Sequence, residues 1–131
     1  MYEIEYLGAP YRHDNDEIRC FRAHLINIVA GNLVKQGRII YSPITHNHPL
    51  AELFDLPKDW EFWRKYDEAF ISTSKSLLIV TLPGWLDSEG LAVEAEIAEE
   101  LGIQVEPLDP LNYGVSQEQI DKLQQMLDGD K

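Results

Sequence analysis

Residues 77–82, LLIVTL, form a short continuous apolar run. A strand with one wet face alternates apolar and polar residues. A run without alternation fits a strand covered on both faces, the pattern of parallel sheets. The neighbouring segments agree. Residues 2–7, YEIEYL, alternate and are β-prone, and GAP stops them. Residues 38–42, RIIYS, and 103–108, IQVEPL, read as two more strands. Helical spacing of Ile18, Phe21, Leu25, Ile28, Val29 and Leu33 predicts a helix over 16–36, capped by Asp14 or Asn15 and ended at Gly37. Further helices are expected over 59–72, with Asp59 near the cap, over 87–101, closed by Gly102, and over about 116–128. Residues 43–59, PITHNHPLAELFDLPKD, contain three prolines and read as a loop-rich insert with no more than a short helical turn.

Strands alternating with helices imply an α/β chain: a parallel sheet of four to five strands with helices on both faces. At 131 residues, a single domain over 1–131 is expected. Ligands of such open sheets bind outside the carboxyl ends of the strands. That rule selects the loops GAPYRHDN, SPITHNHP and PGWLDSEG.

Charge narrows the partners. There are 11 Lys and Arg against 23 Asp and Glu, a net charge of −12. Such a surface repels nucleic-acid phosphates and anionic membranes, so neither is expected as a partner. Eight of the basic residues lie between Arg12 and Lys65, which leaves room for a small anionic ligand near the first half. Cys20 is the sole cysteine, so a disulfide framework and a Cys-rich metal site are both ruled out. Cys20 is expected as a small core residue, and a reducing cytoplasm fits. MYEIEYLGAPY lacks the basic start and long apolar stretch of a signal peptide, and no apolar run approaches membrane-spanning length.

Two acids break the helical pattern. On a wheel of about 100° per residue, Leu91, Ile97, Ala98 and Leu101 fall within about 60° of Glu94. Glu89, Glu96, Glu99 and Glu100 fall more than about 100° away, on the solvent face. Glu94 therefore either snorkels out, pairs with an arginine, or sits as a fixed carboxylate at the bottom of a pocket. On the helix over 59–72, Trp60, Trp63, Phe70 and Ile71 cluster within about 60° of Asp67. Asp67 is either a structural hydrogen-bonding group or the partner of Glu94. Two carboxylates on neighbouring helices suit glycosyl transfer, where one attacks the anomeric carbon and the other handles protons.

These residues carry a resemblance. YLGAPY (6–11), DSEGLAVE (87–94) and Asp67 resemble, in order and spacing, the motifs of the nucleoside 2-deoxyribosyltransferase superfamily over roughly residues 4–105. SPITHNHP and LPGW look closer to a branch of short proteins within it. The resemblance implies a flavodoxin-like three-layer sandwich and a small-molecule partner, a deoxynucleoside or its 5′-monophosphate. It implies that Glu94 attacks C1′ and that a second base or water resolves the glycosyl-enzyme, with Asp67 assisting proton transfer to the departing base or positioning the sugar. Tyr6, Gly8, Pro10 and Tyr11 would then belong to the substrate site, Gly8 and Pro10 shaping the loop and Tyr11 stacking on a base. Asp87 and Ser88 would hold sugar hydroxyls, with Gly90 beside them. Ser88 also has the spacing of a serine that contacts a 5′-phosphate in related hydrolases. Members complete each other's sites across an interface, so a homo-oligomer is expected, and no cofactor is.

Glu89 and the Gly8-Ala9 order depart from the family pattern and motivate a second reading, a nucleotide-binding module without turnover. A third reading, a metal-dependent phosphohydrolase, rests on His46 and His48. On an extended segment, residues two apart point the same way and would make a metal pair, with Asp87 or Asp67 joining. Otherwise the pair lines the pocket or bonds the backbone, and no metal is assigned. His13 and His24 read as surface or helix residues. Dinucleotide oxidoreductase, P-loop NTPase and serine-triad hydrolase fit poorly, because G-x-G-x-x-G, G-x-x-x-x-G-K-[ST] and G-x-S-x-G are all missing.

Overall fold

A computed structural model describes residues 2–130; Met1 and Lys131, the ends of the expected 1–131 domain, lie outside the described residues. The elements run β1 (Ile4–Gly8), α1 (Asp16–Lys35), β2 (Ile40–Tyr41), α2 (Pro43–Phe54), α3 (Trp60–Ile71), β3 (Ser74–Val80), α4 (Glu89–Glu100), β4 (Gln104–Leu108) and α5 (Gln117–Gly129). Short 3₁₀ turns occupy Trp85–Asp87 and Pro110–Tyr113.

The four strands form one parallel sheet in the order β2-β1-β3-β4. The two-residue side-chain period divides it. Leu7, Leu78 and Val80 point into a core with Leu25, Ile26 and Val29 of α1 and Leu123 of α5. Tyr6, Leu77 and Ile79 point the other way, against Ile71 of α3 and Leu91, Ile97 and Ala98 of α4. The result is a flavodoxin-like three-layer α/β sandwich. β3 is buried throughout except at Lys75, which is why its sequence does not alternate. No described helix is long and apolar enough to cross a membrane.

Three local expectations are corrected. Residues 43–54 form the helix α2 and not a loop. Pro43 stands in the first turn, where its missing N–H is an orphan anyway. The Thr45 hydroxyl bonds Ser42 at 2.8 Å and Asn27 at 2.7 Å, tying the first turn to α1 and offsetting the internal Pro49. Cys20 is exposed, because the buried face of α1 runs through Ile18, Arg19, Arg22 and Leu25. Leu101 is 53% exposed: α4 ends at Glu100, and the capping residue lies beyond the covered turn.

Candidate active site

The order of the sheet reverses direction between β1 and β3, so the loops after those strands splay apart and leave a crevice. A cleft of roughly 620 Å³ lies there, lined by the β1–α1 loop, α2, α3 and the start of α4. Its size falls in the range of about 300–1,000 Å³ usual for small-molecule sites.

At its floor three polar groups meet. Tyr6 on β1 is fully buried, and its hydroxyl lies 2.5 Å from Glu94 Oε2 and 2.9 Å from Asp67 Oδ1. The two carboxylate oxygens are therefore no farther apart than the sum of those distances. Glu94 reaches this point because Ser88 caps α4 through the Leu91 N–H at 3.3 Å, which places Glu94 at the level of the sheet edge. Gly8 leaves the space: a Cβ there would meet Leu91 Cδ2 at 3.0 Å and Glu94 Oε1 at 3.2 Å. Asp67 is set by α3, whose N-cap Asp59 accepts from the Phe62 N–H.

Burial dominates the electrostatics. Desolvation raises Glu94 well above the usual carboxylate range, and the Asp67 charge adds to that; the Tyr6 hydrogen bond opposes both. Desolvation pushes Asp67 up to about 6, again opposed by Tyr6. Burial and the two acids raise the Tyr6 phenol well above its ordinary value. A phenol has one proton to donate. If both carboxylates were ionised, one would face only the lone pairs of the Tyr6 oxygen, beside a second buried negative charge. With one proton on the pair, the hydroxyl donates to the carboxylate and accepts from the carboxyl. One shared proton therefore suits this geometry, and the deeper burial of Glu94 raises its proton affinity well above the usual carboxylate range.

The expected residues divide by position. Glu94, Asp67, Pro10 and Tyr11 line the cleft, as do His48, Asp87, Ser88 and Gly90. Tyr6 lies beneath its floor. Gly8 packs behind Glu94. His46 is exposed and bonds Asn47 Oδ1 at 2.7 Å. Residues two apart on a helix diverge by about 200°, so α2 separates His46 from His48, and the extended metal pair does not form. The Tyr11 hydroxyl makes a short hydrogen bond with His48 Nδ1, edge-on to the ring. Burial pushes Tyr11 up to about 12 and lowers His48 below the usual imidazole range.

Sequence reasoning missed Arg22. It lies on the buried face of α1, lines the cleft, and donates to the Tyr11, Arg12 and Pro83 carbonyls at 3.4, 3.2 and 3.4 Å. Its Nε has no partner among the described residues, and burial lowers its affinity for its proton. The i, i+3 step from Arg19 to Arg22, continued by Ile26 and Val29, was the available signal. Trp60 and Trp63 were placed on the face of Asp67; both line the cleft as its aromatic wall.

A parallel α/β sheet with a cleft at its switch point, floored by paired acids sharing a phenol, defines the class of fold and site. Within that class, residues 3–108 match the family described as a domain of unknown function, DUF1937, and the chain belongs to that family. The match runs from β1 through β4 and ends before α5. No curated protein matches the chain.

Proposed function

We propose that this protein transfers or hydrolyses the N-glycosidic bond of a deoxynucleoside or its 5′-monophosphate, as its likeness to the nucleoside 2-deoxyribosyltransferase superfamily implies. The observation that carries the reading is the Tyr6 hydroxyl joined to both Asp67 and Glu94 at the floor of the cleft. Carboxyl groups about 5–5.5 Å apart favour a covalent glycosyl-enzyme over direct attack by water, which needs roughly 6.5–9.5 Å. The bridge by one hydroxyl fits the shorter span.

The chemistry runs as follows. Glu94 passes its proton to the Tyr6 oxygen as Tyr6 passes its own to Asp67. Glu94 Oε then bonds C1′ while the C1′–N bond breaks, and Asp67 protonates the departing base. A second base or a water takes C1′ from Glu94, returns a proton to Asp67 and frees the glutamate. Tyr11 and the two tryptophans offer aromatic faces to the base. Asp87 and Ser88 lie where sugar hydroxyls would be held. A homo-oligomer and a cytoplasmic setting belong to the same reading.

The test is incubation with deoxynucleosides and deoxynucleoside monophosphates, with and without acceptor bases, followed by chromatography for free base. Turnover by the wild type and at least about a thousand-fold loss in Glu94→Gln are expected, since the nucleophile is removed at nearly constant shape. No product from any substrate, or undiminished turnover in the variant, overturns the reading.

A second reading, a nucleotide-binding module without turnover, is favoured by Glu89, which lines the cleft and adds an acid beside Ser88. It requires thermal stabilisation by nucleotides with no free base formed.

A further inference from the structure

Beside the cleft mouth, three side chains of different chemistry converge where α1 packs on α2. Cys20 comes from α1, and His48 and Glu52 from α2. A ligand atom of each, thiol, imidazole and carboxylate, lies within 4.8 Å of the other two. None of these three belongs to the Tyr6–Asp67–Glu94 group. His48 and Glu52 are four apart, so one helix face presents both. The Tyr11 hydroxyl bonds His48 Nδ1, which also faces Glu52 Oε1 at 3.9 Å; with Nδ1 so engaged, Nε2 is the nitrogen left for a metal.

We propose that Cys20, His48 and Glu52 form a Zn²⁺ site that braces α1 against α2 at the rim of the cleft, with water as the fourth ligand. The donor set selects the ion. Sulfur and imidazole nitrogen disfavour Mg²⁺ and Ca²⁺, which take oxygen, and suit Zn²⁺. A thiolate and a carboxylate together supply two negative charges, matching a divalent cation. Three protein ligands with an open fourth position is a standard zinc arrangement. Tetrahedral zinc with bonds of about 2.0–2.3 Å needs ligand atoms about 3.3–3.6 Å apart. The present separations, within 4.8 Å, leave about 1 Å to close. Nearby Arg19 is engaged with Asp16 and the His13 carbonyl, so its charge is already partnered. The exposure of Cys20 is then accounted for: it faces a ligand partner on α2 and not the core. This site stands independently of the proposed glycosyl chemistry.

The protein is stripped with chelator and titrated with Co²⁺, then Zn²⁺. One equivalent of Co²⁺ should give tetrahedral visible absorption with a thiolate-to-cobalt band in the near ultraviolet, both bleached by one equivalent of Zn²⁺. Bound zinc should also protect Cys20 from alkylation and raise the melting temperature. Cys20→Ser should remove the near-ultraviolet band, and it and Glu52→Gln should each weaken binding at least about tenfold. Both residues are exposed, so circular dichroism should show an unchanged fold. His46→Gln, on the far side of α2, should bind as the wild type does. A featureless or octahedral cobalt spectrum, a near-ultraviolet band that survives Cys20→Ser, or equal weakening by His46→Gln overturns the site.

Discussion

Tyr6→Phe removes one oxygen from the floor of the cleft and leaves the ring in place, so it isolates what the hydroxyl does. The hydroxyl lies 2.5 Å from Glu94 and 2.9 Å from Asp67, and with one proton to donate it favours the ionised form of the acid it donates to. A hydrogen bond to a charged group contributes about 1.5–3 kcal/mol. At 1.36 kcal/mol per pKa unit, losing one lifts the acid it served by roughly 1–2 units. Asp67, already at about 6, should therefore titrate above neutrality. The destabilisation should also depend on pH. It should be about 1.5–3 kcal/mol near neutrality, where the bond reaches a carboxylate, and fall toward about 1 kcal/mol below pH ~4, where both acids are neutral. Carboxyl chemical shifts of carbon-13-labelled Asp and Glu, followed across pH in wild type and variant, report the titrations without any assumption about activity. Urea unfolding at the two ends of the range reports the stability. If both carboxyls titrate within ~0.3 unit of their wild-type values, or if the stability loss is the same at pH 3.5 and 7.5, the hydroxyl does not mediate between the acids.

Asp67→Asn should stabilise the protein increasingly as pH rises. The folded pKa is raised from 3.8 to about 6, so wild type forfeits stability across that interval. The loss is on the order of 3 kcal/mol, and the variant does not share it. A urea-midpoint difference that stays constant from pH 4 to 7 refutes this. Gly8→Ala should destabilise by about 1–3 kcal/mol, because its Cβ would press on Leu91 and Glu94; an unchanged midpoint with an unchanged Glu94 titration refutes the close approach. Glu89→Gln should enlarge the thermal shift given by a deoxynucleoside monophosphate more than that given by the nucleoside, since it removes an exposed charge lining the cleft. Equal shifts would place the phosphate elsewhere.

The layers of the fold were legible because each rests on a local period. LLIVTL announced a strand with two dry faces, and the wheels separated Glu94 from Glu89, Glu96, Glu99 and Glu100, which are all exposed. α2 was not legible, since Pro43 and Pro49 read as breakers. Contact with α1, through Thr45 and Asn27, helps hold twelve residues helical there. That error carried His46 and His48 onto one side of an imagined strand. Tyr6 was visible as a member of an alternating strand and, through YLGAPY, as a substrate-site residue, but not as the link between the two acids. Its partners stand 61 and 88 positions away, so no spacing rule could join them. The seam between Cys20 and His48 was hidden for a similar reason, because it depends on how α2 lies across α1.

The proposed reaction needs its proton where the resting site does not keep it. A nucleophile must be ionised and a leaving-group acid must be protonated. Burial favours the opposite order: Glu94 is the deeper acid, its carboxyl raised well above the usual range, while Asp67 lines the cleft and is partly wet. Two independent carboxylates would be stuck in that order at any pH, since whichever acid is more basic stays protonated longest. Joining them through one hydroxyl changes this, because the proton can cross without entering water. Substrate supplies the bias. A base entering the cleft strips water from Asp67 and raises its affinity for the proton, while Glu94, already dry, is little altered. In the proposed reaction, binding would therefore ionise the nucleophile and arm the acid in a single transfer. The raised pKa of Glu94 is then no obstacle to catalysis. In that reaction it would favour the neutral carboxyl until a base is present.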